Sequence, residues 1–102
     1  MAELLDEIHP GEILLEDFMK PMGITARQLA ADIDVSPSRI SELVNGIRPI
    51  TADTALRLGL FFKIDPRFWM NLQTEFDLRM ITRELKDKIA SRVRVFHQHA
   101  VA

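Results

Sequence analysis

The sequence predicts an all-α domain, a single bundle of about five helices with short connections. Three observations carry that expectation. Helix-start chemistry recurs along the chain, at His9-Pro10, Thr25, Ser36-Pro37, Thr51 and Asp65-Pro66. Between these starts, apolar residues return at three- and four-residue spacing, and the period-two alternation of a strand is missing. Internal repeats, low-complexity segments and Gly/Ser-rich linkers are also missing, so the connections stay short.

The first helix opens with Pro10 at its first position, where the missing N–H is harmless. Ile13, Leu14 and Asp17/Phe18 follow at helical spacing, and Pro21-Met22-Gly23 ends it. Thr25 caps the second helix with Gln28 three residues on, the pattern of a capping box. Leu29, Ala30 and Ile33 form its one-sided apolar stripe, which requires a covering partner. Asp34-Val35 is long enough only for a turn. Ser36 and Pro37 start the third helix, Ile40, Leu43 and Val44 turn inward, and Gly46 stops it. Thr51 caps a fourth helix with Asp53 in its first turn to complement the dipole and Ala55, Leu58 and Phe62 to bury. Gly59 inside that helix costs on the order of 1 kcal/mol against alanine, which predicts close packing there. Asp65-Pro66 starts the fifth, with Phe68, Trp69, Leu72 and Phe76 as its bulk. Leu78, Ile81, Leu85 and Ile89 continue the apolar spacing among basic residues, an amphipathic extension.

Composition limits function. The 102 residues, 47% hydrophobic, suit one compact core without disulfides or metal. The absence of cysteine removes disulfide frameworks, thiolate zinc sites and thiol catalysis. The start MAELLDEIHPG is acidic and lacks the basic, greasy pattern of a secretory signal. The longest apolar run, around Leu58 to Phe62, falls far short of the roughly 20 residues of a membrane span. A soluble cytoplasmic protein with no membrane partner is expected. The net charge of −2 divides unevenly: residues 79–102 carry +4 and the remainder −6. An acidic body repels DNA unless its cations are gathered locally.

The surface that decides this lies on the third helix. Two short helices joined by a turn as tight as Asp34-Val35 must cross steeply, which is helix-turn-helix geometry, spanning about residues 25–46. With Ile40, Leu43 and Val44 inward, the 100° step sends Ser38, Glu42 and Asn45 outward as a row, with Ser41 beside them and Arg39 on the flank. In that geometry small polar residues permit close approach to the major groove, arginine can read guanine, and a glutamate can accept from cytosine N4.

Four segments carry a family resemblance: HPGEILLEDFM (9–19), QLAADIDVSPSRISELVNGIRPIT (28–51), DTALRL (53–58) and FWMNLQTEFDL (68–78). Over about 70 of its 102 residues the chain resembles the HigA, or VapI-like, antitoxin family of lambda-repressor-like helix-turn-helix proteins. The resemblance implies a five-helix lambda-repressor-like domain over residues 1–78; it is silent on 79–102, which the spacing and charge give as a basic amphipathic helix or tail. It implies a homodimer that binds an inverted-repeat operator, represses its own operon and neutralises a RelE-like mRNA endonuclease toxin of the HigB type. Carried over by position, it implies base contacts from Pro37, Ser38, Arg39 and Glu42, phosphate contacts from Gln28 and Asn45, and a DNA contact from Arg48. Arg27, Arg39 and Arg48 are then a partial reply to the acidic body, and two-fold pairing doubles that patch. Two departures stand out: Asp34, where the family commonly has glycine, and the basic stretch beyond Leu78.

Other candidate sites have simpler readings. His9, His97 and His99 lack the companions a metal or catalytic triad needs, and residues two apart on a helix face different ways. His9 is read as a capping neighbour of Pro10, Glu12 as a dipole-complementing residue and Phe68-Trp69 as core. No enzyme, cofactor or metal is expected. The leading function is antitoxin and autorepressor; alternatives are a free-standing repressor without a toxin and a protein-binding adaptor, the last opposed by Arg39 and Arg48. The dimer seam is expected on the fifth helix and its extension. Glu3, Asp6, Glu7, Glu12, Glu16 and Asp17, with no Lys or Arg in residues 1–17, form an acidic arm suited to a basic toxin, with Leu4, Leu5 and Ile8 as apolar anchors.

Overall fold

The computed structural model describes residues 8–97, and within them the chain forms helices and no strand. Residues 10–22 make one continuous helix, α1, which is α-helical over Pro10–Ile13, π-helical over Leu14–Met19 and α-helical again over Lys20–Met22. The wide turn leads into Pro21. A proline ring clashes with the carbonyl four residues back in a regular helix and offers no N–H to it. Here the Lys20 N–H donates to the Leu15 carbonyl instead, five residues back, so the chain carries Pro21 inside the helix. The helix therefore runs on to Met22, and Gly23 closes it in the left-handed conformation.

The remaining helices start where local chemistry places them. Thr25 Oγ1 accepts from the Gln28 N–H at 3.1 Å to cap α2 (Ala26–Ile33). Ser36 Oγ accepts from the Arg39 N–H at 3.2 Å ahead of α3 (Pro37–Val44). Thr51 caps α4 (Ala52–Phe62), and Asp65 caps α5 (Pro66–Ala90) through the Arg67 N–H. Such caps each stabilise a helix by about 1 kcal/mol.

All five helices contribute to a shared core in which Leu14, Leu29, Ile40, Leu43, Leu58 and Trp69 are wholly buried. α2 packs on α3, α4 packs along α5, and the start of α1 touches both α3 and α5. Trp69 sits at the centre of an aromatic group, 4.9 Å from Phe18 and 5.0 Å from Phe68 between ring centroids. Phe68, expected in the core with Trp69, lies at its edge and is 37% exposed, because neighbouring helical positions point about 100° apart. Val44 and Phe62 are likewise half-buried.

Gly59 meets the expectation of close packing, though its neighbour is a connection. A Cβ there would lie 2.6 Å from the Ile64 carbonyl oxygen and 3.0 Å from the Pro66 ring, so glycine lets the α4–α5 link fold back on α4. The other anchor of a connection is Gln73, 5% exposed: its Oε1 accepts from the Ile50 N–H at 2.7 Å, and its Nε2 donates to Asp77 at 2.9 Å. That pair ties the segment after α3 to the first half of α5.

α5 crosses position 78 without a break and ends at Ala90, a rod of about 37 Å at 1.5 Å per residue. Its second half lies outside the bundle, and every residue from 81 to 97 is exposed. The projecting rod makes the molecule 58 × 31 × 22 Å. Among the described residues, no helix is long and apolar enough to cross a membrane.

Candidate nucleic-acid interface

α2 and α3 are joined by Asp34, Val35 and Ser36, and the turn depends on Asp34 adopting φ 60°, ψ 51°. This is the left-handed region, which accounts for the departure from glycine at this position: aspartate is among the few other residues that enter it at modest cost. The carbonyls exposed at the end of α2 are not left bare. Arg57 of α4 donates through Nη1 to the Ile33 carbonyl at 2.8 Å and the Asp34 carbonyl at 3.1 Å. The fourth helix thereby holds the turn that sets the angle of the third.

α3 is held from behind by Ile40 and Leu43, both wholly buried, which fixes what its outer side presents. Pro37, Ser38 and Ser41 are exposed, as is Gln28 on α2. Small residues dominate the start of the helix, so another surface can approach its backbone closely. Ser38 Oγ lies 3.2 Å from Ser36 Oγ. Asn45, at the end of the helix, is exposed and spends one amide hydrogen on the Ser41 carbonyl at 2.8 Å.

The charged residues are paired with each other. Arg48 donates from both Nε (3.1 Å) and Nη2 (2.8 Å) to one oxygen of Glu42. Arg39 donates from Nη1 to Asp53 Oδ2 at 2.9 Å, and Arg57 Nε reaches the same oxygen at 2.9 Å. These side chains are between 31% and 55% exposed, where an ion pair contributes at most about 1 kcal/mol. Their effect is orientation more than stability. The two guanidiniums hold the Asp53 carboxyl below the usual carboxylate range, Arg57 more than Arg39, so it is ionised throughout the neutral range.

Sequence reasoning assigned Asp53 to the helix dipole and did not use Arg57. The four-residue spacing of Asp53 and Arg57 was a readable signal of their pairing. The partnership with Arg39, 14 residues away, had none.

His9 caps α1 through its ring: Nδ1 accepts from the Gly11 N–H at 2.9 Å, which puts the ring proton on Nε2. The ring also stands edge-on to Phe76 of α5, 5.0 Å between centroids. Burial lowers its pKa, against the opposing pull of Asp77 and Glu12. A lowered folded value means that the unfolded chain takes up the proton first. Stability is therefore full above the unfolded value of about 6.5 and falls as pH drops towards the lower folded value. His9→Asn keeps a capping oxygen and removes this titration, so its stability will change less between about pH 7 and pH 5. Denaturation midpoints measured across that range check this; a wild-type slope in the variant would assign the dependence to other groups.

A packed helix pair with a tight turn, a small polar outer side and arginines held by acidic neighbours defines a helix-turn-helix module. The sequence profile of the helix-turn-helix family matches residues 15–69. Virulence-associated protein I of Dichelobacter nodosus is 54% identical over 77 residues, 76% of this chain and 71% of that one. The structure of the Pseudomonas aeruginosa antitoxin HigA with the higBA promoter aligns with a TM-score of 0.85 at 35% identity, over 89% of this chain and 99% of that one. The antitoxin GraA in complex with its operator aligns equally well, at 40% identity over 89% and 92%. The chain belongs to the helix-turn-helix family and, within it, to the HigA, or VapI-like, antitoxins.

Proposed function

We propose that this chain is the antitoxin of a HigBA-type module, acting in the cytoplasm as a homodimer that binds an inverted-repeat operator, represses its own operon and neutralises a RelE-like HigB toxin. The observation that carries the reading is the exposed outer side of α3 on a fold matched over 89% of its length by an antitoxin bound to its promoter. Pro37, Ser38, Ser41 and the free edges of Arg39 and Glu42 meet base edges in the major groove; Gln28, Asn45 and Arg48 meet the flanking backbone.

Two-fold pairing follows from the size of the reader. One eight-residue helix covers only a few base pairs, whereas a dimer places two of them about 34 Å apart, one helical turn. The surface that supports pairing is the projecting half of α5. Ile81, Leu85 and Ile89 remain 37–45% exposed along it, and Val93 continues the stripe at 62%. Ile81, Ile89 and Val93 also border a shallow groove with Thr82, Lys86 and Ala90.

Neutralisation of a basic toxin is supported by the exposed acids Glu12, Glu16 and Asp17 of α1, of which Glu16 is paired with Lys20 at 2.8 Å. Glu3, Asp6 and Glu7, with Leu4 and Leu5, lie outside the described residues. Exchanging Glu3, Asp6 and Glu7 together for neutral residues slows toxin association and flattens its salt dependence if this arm steers encounter.

The direct test of DNA reading is Arg39→Ala. It will weaken binding to the preferred duplex by about 1–3 kcal/mol and relax the preference at one base position, as loss of a bidentate guanine contact does. Equal loss on preferred and shuffled duplexes would reassign Arg39 to a phosphate, and unchanged binding would remove it from the interface. Co-purification of a small basic partner separates the antitoxin from a repressor without a toxin.

A further inference from the structure

Asp53 lies outside the set of residues that face the groove in the reading above, yet it is bonded to the one arginine assigned to a base. Its carboxylate is fixed from the far side: the end of α2 holds Arg57, Arg57 Nε holds Asp53 Oδ2, and the same oxygen holds Arg39 Nη1. The chain of bonds runs through three helices and ends on a guanidinium whose Nε and Nη2 edge has no partner among the described residues. That edge presents two parallel N–H groups, the geometry that matches O6 and N7 of guanine.

Resting on the DNA-reading function proposed above, we infer that Asp53 is the positioning residue for Arg39, aiming its Nε/Nη2 edge at a guanine and denying its charge to phosphate, so that it sets base preference rather than overall affinity. Two physical effects act together. A guanidinium on a flexible stem reaches a phosphate in many rotamers but a base edge in few, so fixing one N–H favours the base. The negative carboxylate also repels the DNA backbone and offsets the arginine charge in any complex where guanine is absent, which weakens non-specific binding. Because the ion pairs are exposed, their removal costs little stability, and the effect is visible in binding.

The experiment uses the full chain and double-stranded DNA. A random duplex library first defines the wild-type base preferences; the preferred duplex, its single-guanine variants and a shuffled duplex are then titrated across a range of salt. In Asp53→Asn, discrimination for guanine at the position lost in Arg39→Gln will fall about tenfold, within the range of one bidentate contact. Binding to the shuffled duplex will tighten, and the slope of log affinity against log salt will steepen by about 0.9 per subunit as Arg39 turns to a phosphate. In an Arg39→Gln background, Asp53→Asn will change guanine discrimination no further. Asp53→Glu, which keeps the charge but moves the carboxylate by one methylene, will lower discrimination and leave the salt slope unchanged; it also decides the matter should Asp53→Asn fail to fold. Unaltered discrimination in these variants overturns the inference, as does an equal loss on preferred and shuffled duplexes, which is what a purely structural role produces. A wild-type chain with no base preference at all would instead defeat the DNA-reading function on which the inference rests.

Discussion

Gly11→Ala will destabilise the fold by about 3 kcal/mol or more, at the upper end of overpacking effects. Gly11 is buried in the first turn of α1, where that helix crosses the end of α3. A Cβ built there would coincide with the Leu43 carbonyl oxygen and lie 2.6 Å from the carbonyl carbon. Both atoms belong to the backbone of a helix pinned by Ile40 and Leu43, so no side chain can swing aside. The only relief is to lift α1 from α3, which also strains the His9 cap and its contact with Phe76. A domain of this size has about 5–15 kcal/mol of stability, so the loss is a large fraction of it. Chemical denaturation measures it directly. A midpoint within a few degrees or a few tenths molar of the parent would mean that α1 and α3 separate freely, and the packing described here would be wrong in that region.

Charging the stripe of α5 will have the second large effect. Ile81→Asp with Leu85→Asp places two carboxylates on a surface that the bundle does not use, so the monomer fold will be retained. The proposed dimer will be lost, because two carboxylates from each subunit would have to be desolvated in a seam built from isoleucine and leucine. Operator binding will then fall by about a hundredfold or more, since the second half-site no longer benefits from being tethered to the first. Light scattering and duplex titration on the same samples test both steps. A dimer that survives both charges would move the seam off α5, and a monomer that keeps full operator affinity would show that pairing is not needed for binding.

How far the chain could be understood without its structure varied with the reach of the interaction. Caps at Thr25, Ser36, Thr51 and Asp65 were legible because the bonded atoms lie two or three residues apart. The inward set Leu29, Ala30, Ile33, Ile40 and Leu43 was legible because helical periodicity alone sorts a face. Gly59 announced itself by being a poor helix former in the middle of a helix, although its partner proved to be the Ile64 carbonyl and the Pro66 ring. Gly11 gave no such signal, since glycine near a helix start is ordinary. The π-helical stretch ahead of Pro21 was also hidden: proline marks a conflict with the regular helix but does not say whether the chain will stop or widen.

By itself, then, the amino-acid order determined the number of helices, where each begins, and which side of the third helix turns outward. All of these follow from interactions within about one helical turn. The tertiary structure alone decided which distant groups meet: Gly11 with Leu43, Gln73 with Ile50, and Arg39 with Asp53 and Arg57. Such pairings depend on the angles and separations at which helices cross, and those are set by the packing of the whole core rather than by any one segment. That is why the outward residues of α3 could be named from the sequence, while the acidic partners that hold its arginines could not.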